Sequence, residues 1–303
     1  MRTSPHHESR FSMNVEQAVR YASRLLEEAG VATPRLDAEL LLAHLLGTKR
    51  MGLYVDHLKP LSGEAISAFE TLIRRRLQHE PLAYIVGEKE FWSLSFIVNP
   101  ACLIPRPETE LLVEKSLELY RLSRCVSYPF LILDLGTGSG AIAVALAKEI
   151  PVVRVTATDI SPDALKVAKA NAERHGVTSE IEFLEGDLFS PLQGREALFD
   201  LIVSNPPYVG EREAKNLSRE VISYEPGLAL TCGEDGLAMY RSIIPGSLLY
   251  LRSEGCLVME VGYDQAGRVR ALIEASGGFE ESEVRDDFAG IPRLVSARKK
   301  GVS

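Results

Sequence analysis

An α/β fold, with a doubly wound parallel sheet preceded by a small all-helical region, is what this sequence predicts. Three observations carry that expectation. Residues 13 to about 87 repeat apolar side chains at helical spacing. From Pro107 onward a helical pattern is followed by short apolar runs alternating with further helical patterns, the order that builds a parallel sheet covered on both faces. Three of those runs stop abruptly, at a glycine turn, at Asp159 and at Asn205-Pro206. A chain of 303 residues has room for two domains and a sizeable core.

The polar start, residues 1–12, carries His6-His7 and no apolar stretch of signal-peptide type; it is expected to be a disordered terminus and not a metal site. A helical domain is expected over 13–87. Val15, Ala18, Val19, Ala22, Leu25, Leu26 and Ala29 recur at helical spacing up to Gly30. A second helix runs from about Pro34 to Gly47. A third begins near Ser62 and puts Ile66, Phe69, Leu72, Ile73 and Leu77 on one face. Arg74-Arg75-Arg76 falls in its last turns, where positive charge complements the helix dipole; a basic contact for an acidic partner is the other reading. Residues 88–105 form a connector, because Glu90 to Val98 alternates and then turns at Asn99-Pro100, as a hairpin would. The sheet domain is expected over 106–303.

Leu131 to Leu135 reads as a buried strand leading through Gly136-Thr137-Gly138-Ser139-Gly140 into the apolar helix pattern Ala141 to Ala147. Strand, glycine turn and helix make a nucleotide site by close backbone approach. The spacing is G-x-G-x-G and not the G-x-G-x-x-G of dinucleotide sites. Asp134 adds a carboxylate suited to a positively charged ligand. A second strand, Arg154 to Thr158, ends at Asp159, about 20 residues past the glycine turn, where an acid can accept both ribose hydroxyls of an adenosine. A helix-cap role for Asp159 is the alternative. Ser161-Pro162 starts a helix that stops at Gly176. After the run Ile181 to Leu184, Asp187 could bond an adenine amino group and Leu188 or Phe189 cover its ring; both apolar residues suit the core equally well. Cys256 to Val261 and Arg293 to Ala297 read as strands flanking a helix at Ala266 to Ala275, with Pro292 suited to a strand start.

The most informative stretch is Phe199 to Tyr208. Leu201, Ile202 and Val203 suit a buried strand that ends in Asn205-Pro206-Pro207-Tyr208. Ligands of open α/β sheets bind just past the carboxyl ends of the strands. The Asn205 side-chain oxygen and the Pro206 carbonyl are acceptors, and neither Pro206 nor Pro207 offers a competing N–H. Tyr208 can lay its ring against a flat substrate. Two acceptors on an NH₂ group favour a pyramidal nitrogen whose lone pair can attack a methyl group on a sulfonium ion. The attacked nitrogen becomes acidic and releases its proton to water, so no tuned general base is needed.

Together these stretches resemble the S-adenosylmethionine-dependent methyltransferases that carry an Asn-Pro-Pro-Tyr motif. Within them the chain is most similar to the release factor glutamine methyltransferases of the HemK/PrmC type. The likeness runs from about residue 13 to near the end. It rests on Glu80 to Ile85, Leu103-Ile104-Pro105-Arg106-Pro107-Glu108-Thr109-Glu110, the glycine turn, Asn205 to Tyr208, Tyr224-Glu225-Pro226, Asp235-Gly236-Leu237 and Tyr240-Arg241. The resemblance implies a Rossmann-like sheet with an antiparallel C-terminal strand. It implies S-adenosylmethionine as donor, S-adenosylhomocysteine as product, and methylation of the side-chain amide nitrogen of the glutamine in the Gly-Gly-Gln motif of class I peptide chain release factors. Donor contacts would come from Asp134, Gly136 to Gly140, Asp159, Asp187, Leu188 and Asn205. Asn205, Pro206, Pro207 and Tyr208 would hold the substrate, with Asn205 and Pro206 catalytic. Two stretches depart from the family pattern, Pro292 before Arg293 and Thr231-Cys232-Gly233; neither touches these motifs, and they are expected to bear on the tail and a loop and not on the reaction. Since every donor feature lies beyond residue 130, the front half is expected to recognise the protein substrate.

Composition narrows the alternatives. A net charge of −8 speaks against general nucleic-acid binding, and so against methylation of an exocyclic amine on DNA or RNA by the same tetrapeptide. A ribosomal-protein glutamine is a second alternative substrate. A nicotinamide-dependent oxidoreductase would leave Asn205 to Tyr208 without a task. Cys102, Cys125, Cys232 and Cys256 are dispersed and read as free thiols of a reducing compartment, hence a cytoplasmic enzyme. Leu40 to Leu46 is too short to span a bilayer, and a monomer without bound metal is expected.

Overall fold

Asn14 opens the first helix of the computed structural model, which describes residues 13–123 and 129–301. The expected disordered start with His6-His7, and Cys125, lie outside the described residues. Asn14 Oδ1 accepts from the Gln17 N–H at 2.9 Å while Gln17 Oε1 accepts from the Asn14 N–H at 3.0 Å, a reciprocal cap that sets the start of α1 (Val15–Glu28). α2 (Pro34–Leu45) has proline at its first position, α3 (Arg50–Val55) is short, and the Ser62 hydroxyl caps α4 (Gly63–Leu77). α5 (Leu82–Val86) ends at Gly87. The stripe Val15, Ala18, Ala22 and Leu26 meets Ala38, Leu41, Leu42, Ile66, Phe69 and Ile73 in one core. α3 and α5 are too short to show a helical period in the sequence.

These helices form one unit, up to Gly87, together with a later segment, Arg219–Tyr224. Arg76, 5% exposed, donates to Asp37 Oδ2 at 2.7 Å, to the Glu80 carbonyl at 3.0 Å and to Glu220 Oε1 at 2.6 Å. Arg75 donates twice to Glu80, at 2.8 and 2.6 Å. The arginine run is therefore not the open basic contact considered above: two of its three members are engaged inside their own unit, and only Arg74 is exposed.

The second unit comprises Glu88–Ser218 and Glu225–Ser303, so the hairpin belongs to the sheet unit and is no separate connector. β1 (Glu88–Phe91) pairs antiparallel with β2 (Leu94–Ile97). Their turn is Trp92-Ser93, with φ of 52° and 56°, not Asn99-Pro100 as the alternation implied. Paired left-handed residues in a two-residue turn usually announce themselves as Asn-Gly or Asp-Gly; here neither does, so the sequence carries no marker.

After a single 3-10 turn (Pro107–Thr109), the chain runs through α6 (Glu110–Leu122), β3 (Phe130–Leu135), α7 (Ala141–Glu149), β4 (Val153–Asp159), α8 (Pro162–Arg174), β5 (Ile181–Glu185) and β6 (Phe199–Ser204). Beyond α9 (Arg219–Tyr224) come α10 (Ala238–Tyr250), β7 (Leu251–Glu260), α11 (Ala266–Ser276), β8 (Glu283–Asp286) and β9 (Pro292–Arg298). The seven-stranded sheet has the order β5-β4-β3-β6-β7-β9-β8, with β9 antiparallel to both neighbours and Pro292 at its start, as expected. The chain winds one way from β3 through β4 to β5 and the other way from β6 to β7. The switch point therefore lies between the carboxyl ends of β3 and β6, where an open α/β sheet leaves a crevice. Cys102, Cys232 and Cys256 are buried. Among the described residues no helix is long and apolar enough to cross a membrane.

Candidate active site

A cavity of about 470 Å³ opens at this switch point. Gly136, Thr137, Gly138 and Ser139 line it just past β3, Asp159 at the end of β4, Asp187 and Leu188 past β5, and Asn205 and Pro207 past β6. The structure thus brings four separate sequence stretches to one crevice. Gly136 and Gly138 have φ of 72° and 56°, and a Cβ on either would meet nothing within 4 Å, so the turn keeps open space beside its backbone. Gly140 does not line the cavity. It starts α7 at φ 80°, and a Cβ there would stand 3.0 Å from Ala168 Cβ and 3.1 Å from Ala168 Cα. Gly140→Ala should cost about 1–3 kcal/mol of stability through backbone strain and overpacking against α8; chemical denaturation measures it, and an unchanged unfolding free energy contradicts the contact.

Asp134 is fully buried behind the turn rather than on the cavity wall. Its Oδ2 accepts from the Thr137 hydroxyl at 2.6 Å, and burial pushes its pKa up to about 7. Asp159 faces the cavity and does two further things. Oδ2 accepts from the Gly138 N–H at 2.8 Å and Oδ1 from the Ser161 N–H at 2.9 Å, so it also clasps the glycine turn and the start of α8. Burial raises its pKa while these two amides hold it down. Leu188 takes φ 47°, an unfavourable conformation for leucine that brings its side chain to the wall. Phe189 instead stacks on Tyr250 at 5.0 Å in the core, which separates the two residues that the sequence left equivalent.

Just past β6, Asn205 Nδ2 donates to the Thr109 hydroxyl oxygen at 3.0 Å, and that hydroxyl donates to Glu260 Oε2 at 2.7 Å. Tyr208 OH lies 3.4 Å from Glu260 Oε1, and its carbonyl accepts from Gln265 Nε2 at 2.7 Å. Pro206 is buried. Glu225 accepts from Arg106 Nη2 at 2.6 Å and from the Ile104 N–H at 3.2 Å, which fixes the loop carrying Cys102, Leu103 and Pro105 to the wall. Thr231, Cys232 and Gly233 also line the cavity, so the loop that departs from the family pattern is part of its wall.

Residues 17–87 match the PrmC N-terminal domain family, and residues 122–228 match the methyltransferase small domain family. The chain is 44% identical to a release factor glutamine methyltransferase of Geobacter sulfurreducens over 90% of its own length and 92% of the relative's. It is 43% identical to one of Koribacter versatilis over 95% and 99% of the two chains. The chain belongs to the release factor glutamine methyltransferase family. Among solved structures, a methyltransferase of Pyrococcus furiosus shares the fold, with a TM-score of 0.51 at 18% identity over 76% of this chain and 99% of that one. This release factor glutamine methyltransferase fold is the one expected above, including its antiparallel last strand.

Sequence reasoning missed Thr109, Glu260 and Gln265. One signal was available for Glu260. It ends the apolar run Cys256-Leu257-Val258-Met259 as Asp159 ends its own strand, at the carboxyl edge where the site lies. Burial pushes Glu260 up to about 7 although the Thr109 hydroxyl pulls the other way. A folded state that holds this proton more tightly than the unfolded chain gains stability below the unfolded value, and loses that gain as pH rises through about 7. The wild type should therefore lose about 1–3 kcal/mol relative to Glu260→Gln between pH 4.5 and 7.5. Urea titrations across that range test this; parallel pH profiles count against it.

Proposed function

We propose that this enzyme methylates the side-chain amide nitrogen of the glutamine in the Gly-Gly-Gln motif of class I peptide chain release factors, with S-adenosylmethionine as donor and S-adenosylhomocysteine as product. The observation that carries the reading is the held carboxamide of Asn205 at the end of β6, facing a crevice walled by the glycine turn and Asp159. The crevice suits the donor: Gly136 and Gly138 leave open space beside their backbone, Asp159 keeps acceptor capacity for ribose hydroxyls beyond its two amide bonds, and Asp187 and Leu188 stand where the adenine would lie. Asp134 acts from behind by fixing Thr137. When bound, the donor supplies an electrophilic methyl group on a sulfonium.

The chain's own task is to present the nucleophile. Asn205 Oδ1 and the Pro206 carbonyl accept the two amide hydrogens and draw the nitrogen toward a pyramidal form, while Tyr208 and Pro207 bracket the flat amide. The nitrogen's proton becomes acidic on attack and passes to water, in keeping with a motif that lacks a base. We take the enzyme to work as a monomer in the cytoplasm, where release factors meet ribosomes. Mass spectrometry of the Gly-Gly-Gln peptide after incubation with enzyme and donor tests the proposal; a gain of one methyl on glutamine is expected, and an unmodified glutamine rejects it.

Among the described residues the helical unit supplies none that line the cavity, which leaves it free to recognise the body of the factor. Remote contacts of that kind contribute binding energy to positioning at the reacting group. Full-length release factor should exceed an isolated Gly-Gly-Gln peptide in kcat/KM by about tenfold or more; equal values would remove the helical unit from recognition.

A further inference from the structure

A carboxamide has two ends of nearly equal shape and opposite hydrogen-bonding sense. If Asn205 turned its NH₂ toward the substrate amide, donor would face donor. Something must therefore choose the orientation, and the hydrogen bonds around Asn205 show how. Glu260, 3% exposed, accepts at Oε2 the single proton of the Thr109 hydroxyl. Thr109, 4% exposed, is left with lone pairs alone to offer its other neighbour. Only the NH₂ end of Asn205 can meet a lone pair, and Nδ2 does so at 3.0 Å. Oδ1 is thereby turned away from Thr109.

We infer that Glu260 and Thr109 are positioning residues that lock the Asn205 carboxamide with its oxygen toward the substrate nitrogen. The inference rests on the proposed grip of Asn205 on the glutamine amide. It gives a task to a buried acid whose carboxylate oxygens meet the hydroxyls of Thr109 and Tyr208. The acid's orienting effect depends on its being an acceptor. In Glu260→Gln the new NH₂ can donate to the Thr109 oxygen, which frees the hydroxyl proton for Asn205 Oδ1 and permits the reversed amide. Thr109→Val removes the link and Thr109→Ser restores it.

The test is steady-state kinetics at pH 8 on full-length release factor, with calorimetry of S-adenosylhomocysteine binding, for E260Q, T109V, T109S and N205A. For E260Q and T109V, kcat should fall by about tenfold or more, as misplacement at a reacting centre does. KM for the factor and affinity for S-adenosylhomocysteine should stay within about threefold, and T109S should keep kcat within about threefold of wild type. Wild-type kcat in E260Q and T109V, with N205A impaired, overturns this inference alone. A matching loss of ligand affinity in E260Q overturns it too, because the acid would then serve the fold of the cavity. Wild-type kcat in N205A overturns the underlying reading of Asn205.

Discussion

Asn205→Ala should lower the rate of methyl transfer by on the order of 10²-fold or more, the loss seen when one preorganised polar group is removed from a reacting centre. Orientation of reactants is worth roughly 7–11 kcal/mol of barrier, so a single missing acceptor beside the nucleophile has a large lever. Donor affinity should suffer less than the rate, since the glycine turn and the Asp159 clasp do not depend on Asn205. The fold should also survive, because Thr109 keeps its bond to Glu260. Tyr208→Phe should be milder than Tyr208→Ala: the ring face persists, and the hydroxyl bond to Glu260 is long, at 3.4 Å. Single-turnover methylation at saturating donor separates these effects from binding. A near-normal rate for Asn205→Ala would move the chemistry elsewhere.

Asp159→Ala should weaken S-adenosylmethionine binding by roughly 10–100-fold, as expected for loss of a charge-assisted contact worth about 1.5–3 kcal/mol. The structure adds a reason beyond the ribose. The same carboxylate holds the Gly138 N–H and the Ser161 N–H, so its removal slackens the turn as well as the ligand contact. Asp159→Asn keeps one acceptor oxygen and should fall between the alanine variant and the wild type. Calorimetry on the folded variants decides. Unchanged affinity in Asp159→Ala would take this residue out of the donor site.

The sheet was readable because its strands are buried on both faces and end in residues that cannot continue them, such as Asp159 and Asn205-Pro206. The cavity residues at or just past the ends of β3, β4 and β6, such as Gly136, Asp159 and Asn205, followed from the same rule. What escaped had physical reasons. Trp92-Ser93 turns a hairpin without glycine or asparagine. β8 is a short edge strand, half exposed, with little apolar pattern to show. α10 contains Pro245 followed by a glycine, which reads as a break. β7 starts at Leu251 rather than Cys256, and its register with β6 shifts where the polar residues Arg252 to Glu254 interrupt the apolar run. Glu260 and Thr109 are 151 positions apart, and a link of that separation leaves no local trace. Asp134 and Gly140 carry the expected motif, yet they support the wall from behind, a distinction that depends on packing and not on spacing.

The helical unit is not a cassette. Arg219–Tyr224 belongs to it although the chain reaches that segment only after β6, so the polypeptide passes between the two units three times and not once. Excision at residue 87 would strip Glu220 of Arg76 and the Tyr224 hydroxyl of the Gln78 carbonyl, leaving a six-residue orphan just before Glu225, which anchors the cavity loop. A recombination event that exchanged the amino-terminal part alone would inherit a mismatched insert. The helical unit and the sheet unit are therefore constrained to vary as a pair, and exchanging the helical unit requires transplanting two discontinuous pieces of chain together.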